Sequence, residues 1–181
     1  MDIQRLDGKD IYLSKAKFED VEDIWQNFWN DIESAKYMLW QPTKTIEDAL
    51  VRMEKTINFQ KNHFTFLIYE KSTNQAIGMA GFLEAEPGVF EECGIGMGSK
   101  FVGRGYGTQV VSVLIDYLFN NLNAKKVVYS AMQQNIPSKK LAEKLGFKYM
   151  HSENKVREYD NFKFVCDCFE MTKEYYYNKG E

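Results

Sequence analysis

The chain has 181 residues and a mass of 21.2 kDa, a length that fits one domain spanning residues 1–181. Its 23 Lys and Arg residues against 26 Asp and Glu residues give a net charge of −3. No general basic field is therefore present, which disfavours nucleic acid as the main ligand. Apolar runs are far shorter than a membrane span, and the charged N-terminus has no apolar signal segment. We expect a cytoplasmic protein with no nucleic-acid or membrane partner.

The cysteines do not predict a metal site. The chain has 3 Cys and 2 His residues, and Cys166 and Cys168 are separated by one residue, a spacing that matches neither zinc nor redox motifs. On a strand, both side chains would point to one face together with Phe164. We expect core thiols and no bound metal.

Two helices are predicted after a short strand at Ile11–Leu13. The first helix carries apolar residues at i, i+3, i+4 and i+7, namely Val21, Ile24, Trp25 and Phe28. The second begins at Thr45, which is placed to cap the helix with Asp48. Its predicted buried stripe consists of Ile46, Leu50, Met53 and Ile57.

Three strands are predicted in the middle of the chain. Phe64–Glu70 is apolar on both faces, as a central strand should be, and the turn Ser72–Gln75 leads into a strand at Ala76–Leu83. These two strands are expected to form a hairpin. A third strand is predicted at about Phe90–Met97.

The C-terminal half alternates between helices and strands. The predicted elements are a helix at Thr108–Leu122, a strand at Lys126–Met132, a helix at Ser138–Leu145 capped by Gly146, and strands at Phe147–Met150 and Phe162–Met171. The strand, turn, helix and strand from 90 to 132 form a crossover, which predicts a parallel pair. We expect an α/β fold with a mixed sheet of about six to seven strands, a splayed parallel pair and helices on both faces.

A glycine-rich turn precedes the helix at 108. Gly103, Gly105 and Gly107 leave successive backbone N–H groups uncovered, and the helix N-terminus adds a partial positive charge. This pattern is typical of a pyrophosphate-binding turn, although glycines also turn a chain without binding anything.

Two other phosphate motifs fit less well. A Walker loop needs G-x-x-x-x-G-K-[ST], and the order at Gly98-Ser99-Lys100 is wrong for it. A dinucleotide-binding turn needs G-x-G-x-x-G, but Thr108 stands at the last position, and Lys125 and Lys126 lie where an acidic residue should bind the ribose. An NTPase and a nucleotide-binding oxidoreductase are therefore disfavoured.

The segment Val102-Gly103-Arg104-Gly105-Tyr106-Gly107-Thr108 resembles the acetyl-CoA signature of the GNAT superfamily of N-acetyltransferases, [QR]-x-x-G-x-[GA]. Asn135–Ser138 and Lys144–Phe147 resemble its second motif, and the order of elements matches over nearly the whole chain. The segments Met38–Pro42 and Thr45–Asp48 are similar to the branch that includes ribosomal-protein N-terminal alanine acetyltransferases. The resemblance implies a single N-acetyltransferase domain with acetyl-CoA as cosubstrate.

The resemblance also implies which residues contact the cofactor. These are Ile95, Met97, Val102, Gly103, Arg104, Gly105, Tyr106, Gly107, Thr108, Asn135 and Ser138. Val102 stands where the motif has Gln or Arg, so one side-chain contact of the family is missing. Capping of the following helix is the other interpretation of Asn135 and Ser138.

For catalysis, the resemblance places a carboxylate base at Glu91 or Glu92. Neighbours on a strand point to opposite faces, so only one of them should face the cleft, and a solvated strand end is the other interpretation of each. Many relatives use a Tyr as the acid where this chain has Ala142. Ser138 is the candidate substitute, and water is an equal one.

The acceptor side has weaker candidates. Trp29 and Trp40 lie off the predicted buried stripe and are the candidate acceptor-binding residues, whereas Trp25 and Phe28 are expected in the core. The run Tyr175–Tyr177 has no assigned partner and is a candidate edge or homodimer contact.

The predicted function is therefore an acetyl-CoA-dependent N-acetyltransferase that acetylates a primary amine, either a small molecule or a protein N-terminus, by direct attack on the thioester. The alternative is a catalytically idle acyl-CoA-binding or sensing module, which the residues at 102 and 142 support.

Overall fold

The computed structural model describes residues 5–178. The chain divides into two compact units. The first contains the residues up to 82 together with 93–113, and the second contains 83–92 together with the residues from 114 onward. Strand β4 (Ala76–Glu86) and helix α4 (Tyr106–Asn120) each begin in the first unit and end in the second.

The first unit is built on an antiparallel sheet. Its strands are β1 (Arg5–Asp7), β2 (Ile11–Ser14), β3 (Phe64–Glu70), the first half of β4, and β6 (Gly96–Met97), which pairs with β4. All seven residues of β3 are buried, which confirms the predicted central strand. The predicted hairpin is also confirmed, with Phe64 opposite Phe82 and Tyr69 opposite Ala76.

The first predicted helix is a chain of short segments. A 3-10 turn at Phe18–Asp20 leads into α1 (Val21–Ile24), followed by a π-helical segment at Trp25–Trp29 and by α2 (Ile32–Ala35). The Asn30 N–H donates to the Trp25 carbonyl at 2.9 Å, which is the i to i+5 bond of a π turn.

The π turn corrects the expected position of Trp29. This segment has more residues per turn than an α-helix, so the side chain at 29 rotates onto the buried face. Trp29 is 0% exposed, and its Nε1 lies 3.2 Å from the Met79 sulfur. The prediction that Trp29 lies off the buried stripe is wrong.

Helix α3 (Ile46–Gln60) begins as predicted, because the Asp48 N–H donates to the Thr45 hydroxyl at 3.1 Å. Its buried face differs from the predicted stripe: Leu50 is 38% exposed. The buried residues are Ala49, Met53, Thr56 and Gln60. Two polar residues, Thr56 and Gln60, extend this face, and apolar periodicity alone does not detect them.

The second unit contains the parallel pair. Strands β5 (Val89–Glu92) and β7 (Lys126–Met132) pair in parallel. Strand β9 (Phe162–Thr172) pairs antiparallel with both β7 and β8 (Lys148–Arg157). Helix α5 (Ile136–Leu145) ends at Gly146, which has a left-handed φ of +93°. The fold is thus the expected mixed α/β fold, although the described residues contain nine strands rather than six or seven.

The predicted third strand is two strands. Residues of β5 pair with β7 as far as Glu91 opposite Val128, whereas Gly96 and Met97 pair with β4. Between them, Cys93 donates its N–H to the Gly81 carbonyl at 3.2 Å, and Gly94 has a φ of +126°. A backbone angle that favours glycine therefore separates the two strands.

The C-terminal helix α6 (Lys173–Asn178) was not predicted, and it gives the tyrosine run partners within the chain. Tyr176 stacks on Phe119 at 4.6 Å and donates to Asp116, and Tyr177 bonds Asn120 at 2.8 Å. Within residues 5–178, no helix is long and apolar enough to cross a membrane. The same residues include no cluster of three or more His, Cys, Asp or Glu side chains that could hold a metal ion.

Candidate active site

The glycine turn has the backbone geometry of an open anion-binding site. Gly103 and Gly105 both have a φ of +79°, and a Cβ built on either would meet no atom within 4 Å. Val102 is extended and 62% exposed, Arg104 is exposed, and α4 begins at Tyr106. The first N–H groups of a helix have no partner within the helix. The turn thus presents backbone to open space, as a pyrophosphate group requires, and the residues present fit that group.

A buried carboxylate holds this turn in place. Glu70, at the end of β3, is 4% exposed and accepts hydrogen bonds from Arg104 Nη1 at 3.0 Å and from the Tyr106 hydroxyl at 2.8 Å. Thr73 donates to its other oxygen at 3.0 Å. Burial alone would raise the pKa of Glu70, but the hydrogen bonds from Tyr106 and Thr73 and the charge of Arg104 lower it overall. The carboxylate therefore stays ionised.

Arg104 has a structural role in the network around Glu70. Besides Glu70, its guanidinium donates to the Lys100 carbonyl at 3.0 Å, so two of its N–H groups already hold the turn. Sequence reasoning missed Glu70, although one signal was available: it is the only charged residue in a strand that is otherwise apolar or uncharged.

A second carboxylate anchors the segment before the turn. Asp31 accepts the Ser99 N–H at 2.7 Å and the Ser34 hydroxyl at 2.6 Å. Burial opposes ionisation, but these hydrogen bonds outweigh it and lower the pKa of Asp31 to about 2. Gly98 is required here, because a Cβ would lie 1.8 Å from the Asn27 carbonyl oxygen.

Several of the residues expected to contact the cofactor are half-buried, and Met97 among them already has partners within the chain. Met97 pairs with Gly78, and its carbonyl accepts the Ser34 hydroxyl at 3.2 Å. Ile95 lies in the connection between β5 and β6 and is half-buried. Gly107 and Thr108 lie in the first turn of α4 and are also half-buried.

In the second unit, Asn135 and Ser138 make the capping contact that was the alternative interpretation of these two residues. The Asn135 side chain accepts the Ser138 N–H at 3.3 Å. The Ser138 hydroxyl lies 2.9 Å from the hydroxyl of Tyr129, a buried residue of β7 that sequence reasoning did not single out. Burial raises the pKa of Tyr129, and the charge of Glu92 raises it further. Tyr129 therefore stays neutral and can fix the orientation of the Ser138 hydroxyl.

Strand alternation separates the two candidate bases. Glu91 is exposed, whereas Glu92 is half-buried and follows the face of the buried Phe90. The Glu92 charge also raises the pKa values of Tyr129 and Cys166, both within the second unit. Glu92 thus points toward the interior of its unit. Ala142 is 0% exposed, so the position of the usual acid is filled by a buried methyl group.

A pocket of about 310 Å³ lies in the first unit between α3 and strands β3 and β4. Arg52, Lys55, Gln60 and Thr65 are among its walls. Trp40, the other candidate acceptor residue, is half-buried and lies beside Arg52, with the guanidinium 4.4 Å from its ring centroid.

The geometry of the turn suits a phosphate-bearing ligand, and the comparisons identify the family. A model described as the acetyltransferase (GNAT) domain matches residues 10–148. The chain therefore belongs to the GNAT acetyltransferase family, and it is an acyltransferase.

A curated relative supports this assignment, and two solved structures share the fold. The "Uncharacterized N-acetyltransferase p20" of Bacillus licheniformis is 31% identical over 157 residues, which cover 84% of this chain and 85% of the relative. A structure assigned as a ribosomal-protein-serine acetyltransferase of Vibrio cholerae has a TM-score of 0.80 at 17% identity, covering 94% of this chain and 98% of that one. The Microcin C7 self immunity acetyltransferase MccE, in complex with acetyl-CoA and AMP, has a TM-score of 0.77 at 19% identity, covering 91% and 93%. The TM-scores show that both structures share the fold of this chain, and identities this low show nothing beyond the fold.

Proposed function

We propose that this acetyltransferase moves the acetyl group of acetyl-CoA to a primary amine by direct attack of the amine on the thioester. The observation that carries this proposal is the turn at 103–105, whose two positive-φ glycines expose backbone to open space before α4. Backbone amides of this turn bind the pyrophosphate. The MccE structure, which has the same fold, contains acetyl-CoA.

Glu92 acts as the base. An alkyl amine is protonated near neutral pH, so it must lose a proton before its lone pair can attack. Glu92 accepts that proton, directly or through water. The new N–C bond forms as the C–S bond breaks, and the leaving thiolate takes up a proton to give coenzyme A.

The proton for the thiolate comes from water or through Ser138. A thiol has a reference pKa of about 8.5, so the thiolate needs little help from an acid. Tyr129 is a poor acid because its pKa is raised, and its part is to hold the Ser138 hydroxyl. Cytoplasmic location, a single domain and a homodimer remain predictions.

Thiol release tests the proposal. Purified protein is incubated with acetyl-CoA and a panel of primary amines and N-terminal peptides, and free thiol is followed with a chromogenic disulfide. We expect release that depends on the amine, and loss of it in Glu92→Gln with coenzyme A affinity unchanged. Coenzyme A binding without amine-dependent release would instead support an idle acyl-CoA-binding module.

A further inference from the structure

Arg52 is a half-buried cation that has no acidic partner among the described residues. On α3, its Nη1 donates to the Thr43 hydroxyl at 2.9 Å, and its guanidinium lies 4.6 Å and 4.4 Å from the ring centroids of Trp29 and Trp40. Among residues 5–178, no carboxylate lies within 4.0 Å of it. The aromatic rings attract the cation through their faces. They accept no hydrogen bond from the N–H groups that lie in the plane of the guanidinium.

The surroundings of Arg52 leave its charge uncompensated. Burial lowers the pKa of the guanidinium to about 10, the direction expected of a desolvated cation with no anion beside it. A guanidinium has five N–H donors, and Thr43 receives one of them. The remaining donors suit the oxygens of a carboxylate or phosphate, which pair with guanidinium in a bidentate geometry.

The pocket that Arg52 lines is mostly apolar, and its charged groups are positive. Lys55 is the other charged residue of its wall, and the described wall residues include no Asp or Glu. Two buried wall residues, Gln60 and Thr65, are 2% and 5% exposed. Gln60 Nε2 and Thr65 Oγ1 have no hydrogen-bond partner in the described part of the chain. Both atoms are closed off from solvent, so the cations Arg52 and Lys55 are the polar groups available to a ligand.

We propose that this pocket binds the acetyl acceptor, and that the acceptor is a small amine that also carries a carboxylate or phosphate group, whose oxygens pair with Arg52. This inference rests on the acetyl transfer proposed above, because it names the acceptor of that reaction. The volume of about 310 Å³ lies at the small end of ligand pockets, which favours a small molecule over a folded protein surface.

The charge of the pocket also selects the state of the amine. Arg52 and Lys55 repel a simple alkylammonium ion, whereas a zwitterion has its own anion to pair with Arg52. The same cations disfavour the protonated amine once it is bound, so they lower the pKa of that ammonium group and favour the neutral nucleophile.

Matched ligands test the recognition directly. Phenylalanine and phenethylamine differ by a carboxylate, and phosphoethanolamine and ethanolamine differ by a phosphate. Binding is followed by tryptophan fluorescence, since Trp29 and Trp40 flank the guanidinium. We expect at least one oxyanion-bearing amine to bind, and to bind more tightly than its matched amine by roughly 10- to 100-fold. The two pairs separate a carboxylate from a phosphate preference.

Substitutions of Arg52 complete the test. Arg52→Gln should abolish the advantage of the oxyanion-bearing amine while leaving coenzyme A affinity unchanged, and Arg52→Lys should keep part of it. Lys44→Gln, an exposed cation outside the pocket, should behave as wild type. Circular dichroism melting curves check that each variant is folded.

Several results would overturn the inference. These are equal binding of the matched amines, no binding of either oxyanion-bearing amine, a full advantage retained in Arg52→Gln, or a neutral N-terminal peptide that is acetylated more efficiently than both. If the oxyanion-bearing amines bind but no amine releases thiol, the proposed transfer fails while the anion-binding pocket stands.

Discussion

The two positive-φ glycines, Gly103 and Gly105, are the residues on which the proposed cofactor binding depends most directly. At a φ of +79°, an L-residue is strained, and any side chain at Gly105 would enter the open space above the turn. The sequence pattern predicted this turn because alternating glycines directly before a helix are typical of a backbone anion-binding site. Its backbone angles, and the emptiness above it, come from the structure.

We predict that Gly105→Val weakens coenzyme A binding by roughly tenfold or more, since the new methyl groups block the approach of a pyrophosphate to the amides. Isothermal titration calorimetry measures the dissociation constant. Gly88→Val is a matched control, because Gly88 has a φ of +82° in the hairpin turn between β4 and β5. Equal weakening in both variants would show that backbone strain, rather than blocked access, is responsible.

The neighbouring acids Glu91 and Glu92 provide a residue-scale test of the mechanism. We predict that Glu92→Gln lowers kcat by about 100-fold or more, the usual contribution of a general base, with coenzyme A affinity unchanged. Glu91→Gln should retain near wild-type turnover, because that side chain is exposed. Steady-state thiol release measures both rates, and equal rates for wild type and Glu92→Gln would remove this residue as the base.

The sequence identified candidate site residues, but it did not show which groups surround them. Alternation predicted that one of the two acids faces inward, but which one depends on where β5 begins. Arg104 is expected among the cofactor contacts, and the structure adds that its guanidinium is bonded to Glu70. Glu70 was marked only as the one charged residue of its strand, and the roles of Glu70 and Arg52 become visible only from their contacts in the structure.

At the scale of elements, Glu70 joins the end of β3 to the start of α4. Its bonds to Arg104 and Tyr106 hold a turn that has little apolar packing of its own, since 102–105 are exposed. If Gln replaces Glu70, Arg104 and Tyr106 bond to a neutral amide instead of a carboxylate. These bonds are weaker, so the turn should become more mobile.

We therefore predict that Glu70→Gln raises the dissociation constant of coenzyme A and lowers the free energy of unfolding by about 1–3 kcal/mol, the cost of a weakened buried network. Calorimetry and urea unfolding measure the two effects. Glu54→Gln, an exposed change on α3, serves as the control. Unchanged affinity in Glu70→Gln would show that the turn holds its shape without this carboxylate.

Helix α3 tests the revised assignment of its buried face. Met53 is 0% exposed and Leu50 is 38% exposed. We predict that Met53→Ala costs about 2–5 kcal/mol of unfolding free energy, whereas Leu50→Ala costs less than about 1 kcal/mol. Urea unfolding followed by tryptophan fluorescence gives both values. A larger loss for Leu50→Ala would favour the stripe predicted from apolar periodicity.

Periodicity predicted most elements, and it failed where the backbone departs from regular geometry. The strand at Lys126–Met132 has its predicted bounds. The π turn at Trp25–Trp29 and the break at Gly94 each change which side chains share a face. Patterns of apolar residues assume a fixed number of residues per turn or per pleat, so they place Trp29 on the wrong side and join β5 to β6.

For the molecule as a whole, the net charge of −3 disfavours nucleic acid but does not exclude a small phosphate-bearing ligand. Net charge describes the average surface, whereas the proposed sites use local groups: backbone amides at the turn and the cations Arg52 and Lys55 in the pocket. Several acidic side chains are engaged in the fold itself. Glu70, Asp31 and Asp167 all have a lowered pKa.

These carboxylates predict how stability depends on pH. A group whose pKa is lower in the folded state binds more protons when unfolded, so its contribution is present above the unfolded pKa and is lost as the pH falls through the folded value. For Asp31 this window runs from the ordinary value of 3.8 down to about 2. We expect the free energy of unfolding to decrease steadily as the pH is lowered from about 4 toward 2.

Asp31→Asn should show how much of this pH dependence of stability comes from Asp31. The variant should lose up to about 2 kcal/mol at pH 7 and show a shallower decrease of stability with acid, because it no longer takes up a proton on unfolding. Urea unfolding at a series of pH values measures the slope, and Glu47→Gln, an exposed change near the start of α3, is the control. If Asp31→Asn kept the wild-type slope between pH 4 and pH 2, the acid sensitivity would come from other carboxylates whose pKa is lowered, with Asp7→Asn, Glu70→Gln and Asp167→Asn as the next variants to compare.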